Sequence, residues 1–297
     1  MQKNKALTLT VIARMTANYS ESLGNIGSVQ KVFRDGKTYA MRSRESLKNA
    51  LMVQSGMYED LQVSVDGATQ KKVSEELNAA NCRALEGGYM NTSGETKIRK
   101  SSFHLTDAIA CSEFVNETRF HNNLYLASRY ARDNGINLQQ KDGNVGLMPY
   151  QYEYDKSMKQ YSLTIQLDEV GRDENFAAEA DASEKIARVQ AILDGVEQLS
   201  LVVRGNLDNS EPIFVVGGIG KYRTHYFENV VRMDGGRLVL SEDLVQKLSK
   251  GYRSALLVGE NFVNEEEIKS RLRPMLIDRF FEELKKDVEA YYAGTSN

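Results

Sequence analysis

Cysteine is scarce in this sequence. Cys82 and Cys111 are the only two, too few for a disulfide framework or a thiolate metal site, so a reducing cytoplasm is the expected home. The three histidines, His104, His121 and His225, are scattered and form no H-x-x-x-H pair, which argues against a histidine metal centre. No apolar run approaches the ~20 residues of a membrane span, and the opening MQKNKALTLTV has no signal-peptide core. No membrane partner is expected. Also missing are G-x-S-x-G, H-E-x-x-H, a Walker loop and zinc spacing. Gly217-Gly218-Ile219-Gly220 lacks dinucleotide-loop spacing and reads as a strand-ending turn. Neither a cofactor, a metal nor a catalytic residue is expected.

What is present is a soluble globular composition, 41% hydrophobic and 27% charged, in a chain long enough for one elaborated domain. The net charge of −3 excludes a protein coated with basic surface. Its distribution is uneven. Residues 1–50 hold nine Lys/Arg against Glu21, Asp35 and Glu45, so the remainder is strongly acidic. This asymmetry points to a local anion-binding groove.

Residues 6–18 alternate, with Leu7, Leu9, Val11, Ala13 and Met15 on one face and Thr8, Thr10, Arg14, Thr16 and Asn18 on the other; Ile12 breaks the pattern. The expectation is a strand buried on one face and open on the other. A hairpin is expected within 29–41, turning at Arg34-Asp35-Gly36-Lys37, then a helix from about Arg44 to Met57. Residues 58–147 read loosely, with helical pieces expected at 70–78, 105–115 and 119–134. Strands are expected at 149–154 and 158–170, a helix capped by Asp181-Ala182-Ser183-Glu184, strands at 201–204 and 213–216, and two C-terminal helices separated at Pro274. With the middle set aside, strand, helix, strand, strand, helix, strand is the ferredoxin-like order of an α+β domain, the layout of RNA-recognition motifs.

The stretch from Gly24 to Leu51 carries the chemistry. If Ser43 caps the helix, Arg42, Arg44 and Lys48 surround an N-terminus that already carries about half a positive charge. An anion, typically a phosphate, would relieve this arrangement. RNA binding uses these features together: Arg14, Thr16 and Asn18 from the sheet face, Lys31, Arg34 and Lys37 from the loop, and Arg42, Ser43, Arg44, Ser46 and Lys48 from the helix start. No RNP-like aromatic pair is grouped for base reading, so tracking of a single-strand backbone fits better. A metal-dependent endoribonuclease using Asp35 stays open, although Asp before Gly36 is also what a turn favours.

LTLTVIARMTANYSESLGNIGSVQKV followed by YAMRSRESLKNALM, with SLTIQLDEVGRDE and ASEKIARVQAILDGV later, resembles the DevR-type branch of the Cas-seven family, RAMP-superfamily backbone subunits of type I (I-B-like) CRISPR Cascade complexes of prokaryotic antiviral defence. The resemblance implies one RRM-like domain over 1–297, with a helical fingers insertion at 58–148 and a β-hairpin thumb at 201–234. It implies a non-enzymatic subunit stacking with copies of itself in a helical filament along the crRNA, beside other Cascade subunits, while target DNA pairs with the guide. Matched by position, guide contacts fall on Arg14, Asn18, Asn25, Arg42, Ser43, Arg44 and Lys48, and thumb contacts on Arg204, Lys221, Tyr222 and Arg223. The branch's name also raises an RNA-independent DNA-binding regulator.

Overall fold

The computed structural model describes residues 6–19, 26–138, 145–203 and 205–294. In chain order the main elements are β1 (Ala6–Thr16), β2 (Lys31–Arg34), β3 (Lys37–Arg42), α1 (Arg44–Gln54), β4 (Phe103–Leu105), β5 (Ala108–Ala110), β6 (Glu117–His121), α2 (Leu124–Asp133), β7 (Tyr150–Tyr154) and β8 (Lys156–Gln166). There follow α3 (Ala182–Glu197), β9 (Ser200–Val203), β10 (Asn206–Asn209), β11 (Pro212–Gly220), α4 (Glu242–Leu248), β12 (Arg253–Leu256), α5 (Glu265–Leu272) and α6 (Ile277–Tyr292). Seven of these strands form an antiparallel sheet in the order β12-β11-β1-β8-β5-β3-β2, with β4 also paired to β8. β1 is the central strand, laddered along its whole length to β8 and over most of it to β11.

The odd-numbered face of β1 behaves as its pattern predicts. Leu7, Leu9, Val11, Ala13 and Met15 join one core with Leu47 and Leu51 of α1, Val189, Ile192 and Val196 of α3, and Phe280, Phe281 and Leu284 of α6. Asp181 caps α3, its carboxylate accepting from the Glu184 amide at 2.8 Å.

The other face of β1 is not open, which corrects the expectation of a free polar face. Thr8, Thr10 and Thr16 are at most 2% exposed, and Arg14 is the exposed residue of this strand. Burial is affordable because the hydroxyls pair: Thr8 with Thr164 at 3.3 Å, Thr10 with Ser162 at 2.8 Å. The cover is a second core in which Ile12, Phe214 and Val216 meet Phe227, Val231, Leu244, Phe262 and Ile268. Ile12, the apparent fault in the alternation, is its anchor on β1.

Three further expectations need correction. Residues 70–78 and 105–115 are not helical; they hold the end of a hairpin strand (Ala68–Lys71) and β5 of the main sheet, and α2 is the helix of this stretch. The segment 201–234 is not one hairpin, because β9 and β10 pair with each other while β11 is a central strand of the sheet. Gly217–Gly220 are the last four residues of β11, in strand conformation rather than a turn.

The stretch that follows α1 is fastened to α3 by a buried ion network. Glu86, fully buried, takes Arg188 at 2.8 Å and Arg99 at 2.8 Å, while the Gly171 amide donates to it at 3.0 Å. Arg188 also reaches Glu184 and the Ala79 and Ala80 carbonyls.

Candidate nucleic-acid interface

Ser43 does cap α1, its hydroxyl accepting from the Ser46 amide at 3.3 Å. The cations around it, however, are largely committed within the chain. Arg42 is 4% exposed and donates to the Thr16 carbonyl at 3.0 and 2.8 Å and to Ser46 Oγ at 2.8 Å. The same end of β1 is held from the other side by Asp208, which accepts from the Thr16 amide at 2.8 Å and from Lys156 at 2.9 Å. A fully buried Lys159 donates to the Met15 carbonyl at 2.9 Å. Arg42 thus fastens β1 to α1.

The phosphate seat expected at the helix N-terminus is already filled. Asp107 accepts from the Arg44 amide at 2.8 Å, and Asn18 Oδ1 accepts from the Ser43 amide at 2.7 Å. The free N–H groups and positive end of the helix are met by a resident carboxylate and amide.

Lys48 donates to the Gly87 carbonyl at 2.7 Å, with its ammonium 4.9 Å from the Phe103 ring centroid. Desolvation, followed by the nearby Lys71 charge, pulls its pKa down to about 8. The unfolded chain therefore binds more protons between about pH 8 and 10.5, and the Lys48 contribution to stability rises with pH across that window. Wild type is expected to gain on the order of 1–2 kcal/mol over Lys48→Gln between pH 7.5 and 10 in urea unfolding, after allowance for partial exposure. A pH-independent difference would mean that Lys48 keeps an ordinary ammonium.

An accessible basic groove lies over the β8-to-β2 side of the sheet. A groove of about 670 Å³ is bounded by Arg34 of β2, Tyr39 of β3, Arg44, the Leu105–Cys111 stretch, Gln160 of β8, and Glu228, Asn229 and Arg232. Arg34 and Arg44, ten residues apart, line it together with the distant Arg232, against Asp107 and Glu228. Arg44 is exposed and pairs with Glu45 at 2.7 Å. Arg14 stands opposite Met158, on the same face as Gln160. Lys37 lies at the hairpin tip, 3.8 Å from Glu113, and Lys31 is held by Glu153. Asp35 occupies the left-handed region (φ 50°) before Gly36 (φ 79°), the geometry for which an Asp-Gly hairpin turn is selected.

Arg223 pairs with Asp168, and Lys221 and Tyr222 are exposed beside it. Asn25 and Arg204 lie outside the described residues. Sequence reading missed Gln160, Asn229 and Arg232. The residues around Arg232 show no local motif, and only the fold of 221–233 back across the sheet brings it to Arg34 and Arg44.

The family model described as CRISPR-associated negative auto-regulator DevR/Csa2 matches residues 7–231. The chain belongs to the DevR/Csa2 family. The match spans β1, α1, the stretch between α1 and β8, α3, β11 and the first part of the covering segment, so Arg34, Arg44 and Gln160 lie inside it, with Arg232 immediately beyond. Two solved structures share the fold. A chain of a CRISPR RNA-guided surveillance complex, pre-nicking, aligns with a TM-score of 0.62 at 10% identity, covering 98% of this chain and 100% of that one. A chain of a CRISPR RNA-guided surveillance complex aligns with a TM-score of 0.52 at 14% identity, covering 93% and 99%. No curated protein gives a significant sequence match.

Proposed function

We propose that this member of the DevR/Csa2 family is a non-enzymatic guide-RNA-binding backbone subunit of a type I CRISPR surveillance complex. Copies of the chain line the crRNA, and the guide bases they present pair with target DNA. The single observation that carries the reading is the groove over the β8-to-β2 side of the sheet, lined by Arg34, Arg44 and Arg232 together with the neutral donors Gln160 and Asn229. Guanidinium groups take phosphate oxygens, and amides take phosphate or 2′-hydroxyl groups.

The strand order supports a ferredoxin-like palm. β11, β1, β8 and the β4/β5 edge lie side by side in the sequence-order pattern fourth, first, third, second, and α1 and α3 pack on the same face. The covering segment moves the ligand track of that palm from β1 to the side of the sheet running from β8 to β2. Both structural neighbours are chains of CRISPR RNA-guided surveillance complexes, which agrees with the reading. The two-stranded projection of β9 and β10, with Val202 77% and Leu207 71% exposed, fits a short thumb at 200–209.

The test is coexpression with the neighbouring genes. RNA of uniform length is expected to copurify with the chain, and its retention should fall with rising salt, with a negative slope of log affinity on log salt. Purification free of RNA, or with double-stranded DNA in its place, would favour a DNA-binding regulator and overturn the assignment.

A further inference from the structure

The glycines that close β11 take no part in the groove, yet they are needed for something else. Gly218 (φ 151°) and Gly220 leave the sheet surface bare where Tyr252 lies: a methyl at Gly220 would stand 1.9 Å from Tyr252 Oη. Seated there, Tyr252 stacks on Tyr226 (centroids 5.2 Å apart, planes at 29°), and Tyr226 stacks on Tyr222 (5.0 Å, 10°). Phe227 braces the column, edge-on to Tyr226 and Tyr252 at 5.2 and 5.1 Å. The result is a rod of three roughly parallel rings. It begins on a glycine floor and ends at Tyr222, which is 40% exposed.

Cations collect around this rod. Lys247 Nζ stands 4.3 Å from the Tyr226 centroid and donates to the Tyr226 carbonyl; Lys250 Nζ lies 3.3 Å from the Tyr226 hydroxyl. Lys221 Nζ is 5.3 Å from the Tyr222 centroid, on an exposed side chain free to exchange the ring for a phosphate. The nearby Asp168 is already paired with Arg223.

We propose that Tyr222 is a stacking platform for an unpaired base of a single-stranded nucleic acid, with Lys221 and Lys250 taking the flanking phosphates. The proposal rests on the guide-RNA reading and adds a base contact to it. A parallel column presents a flat π-face at its open end, which any base can extend without being read for sequence. The rings behind Tyr222 are fixed by packing, so little further order is lost when a base arrives. The surrounding ammonium groups complement a phosphate chain, and a neutral or cationic protein surface would not satisfy them.

The experiment uses the purified full-length chain and single strands of about ten nucleotides carrying one 2-aminopurine, in RNA and DNA versions. Binding should quench the fluorophore. Tyr222→Leu should abolish the quench and weaken binding roughly tenfold, and Tyr222→Trp should restore both. Quenching of RNA alone assigns the guide, and of DNA alone an unpaired DNA strand; either supports the platform. Unchanged quench and affinity in Tyr222→Leu, with binding otherwise intact, overturns the platform while leaving the guide-RNA reading standing. Loss of self-association in Tyr222→Leu with the quench unchanged assigns the ring to a second copy and likewise overturns it. Absence of binding to either strand by wild type removes the guide-RNA reading and the platform together.

Discussion

Arg188→Met is expected to lower the unfolding free energy by about 3–5 kcal/mol, because it leaves the Glu86 carboxylate buried with one of its two ion partners gone. Burial alone would raise the Glu86 pKa, but Arg99 and Arg188 outweigh it and hold the carboxyl below its ordinary value. The sign follows: the depressed folded pKa contributes stability present above the unfolded carboxylate pKa of about 4.3 and lost as pH falls through the folded one. The network also joins the stretch after α1 to α3 through Arg188 and the carbonyls of Ala79 and Ala80. The double variant Glu86→Leu/Arg188→Met should recover much of the loss, since it removes the desolvated charge along with its partner. Urea midpoints measure both. A single-variant loss under about 1 kcal/mol would mean that water or relaxed backbone compensates at Glu86.

Replacing Arg34, Arg44 and Arg232 together with Ala is expected to weaken single-stranded RNA binding on the order of 10–100-fold, with little change in the urea midpoint. Three phosphate contacts at about 0.7 each should reduce the salt slope by about 2. The contrast with Arg42→Ala is diagnostic. Arg42 donates three bonds inside the protein and is buried, so its removal should cost stability first. Filter binding across a salt series, beside urea unfolding of the same variants, separates the two. An unchanged salt slope in the triple variant would place the RNA elsewhere.

The helix start shows what local sequence can and cannot carry. Ser43 as cap and the Asp35-Gly36 turn were legible, because each depends on neighbours within a few residues. The identity of the anion at the helix N-terminus was not, because Asp107 arrives from the turn between β4 and β5, more than sixty residues away by chain. Basic residues near a helix start read as a phosphate seat. In three dimensions one points inward, one reaches a carbonyl, and one is left for the groove.

By itself the sequence determined the elements whose cause is local or periodic. These are β1 and its buried odd face, the Lys31–Arg42 hairpin, the Asp181-capped α3, and the stripe of Ile277, Phe281, Leu284 and Val288 on α6. It also determined the family, through GNIG and RSRESLK, and with it an expectation of guide binding. Only the tertiary structure decided which polar face stayed open. Alternation records that every second residue is polar; it cannot record whether those hydroxyls meet water or one another. Here Thr8 and Thr10 meet Thr164 and Ser162 beneath a second core anchored on Ile12. The groove therefore lies over the β8-to-β2 side of the sheet, where separate blocks of sequence around 34–44, 105–111 and 228–233 meet Gln160.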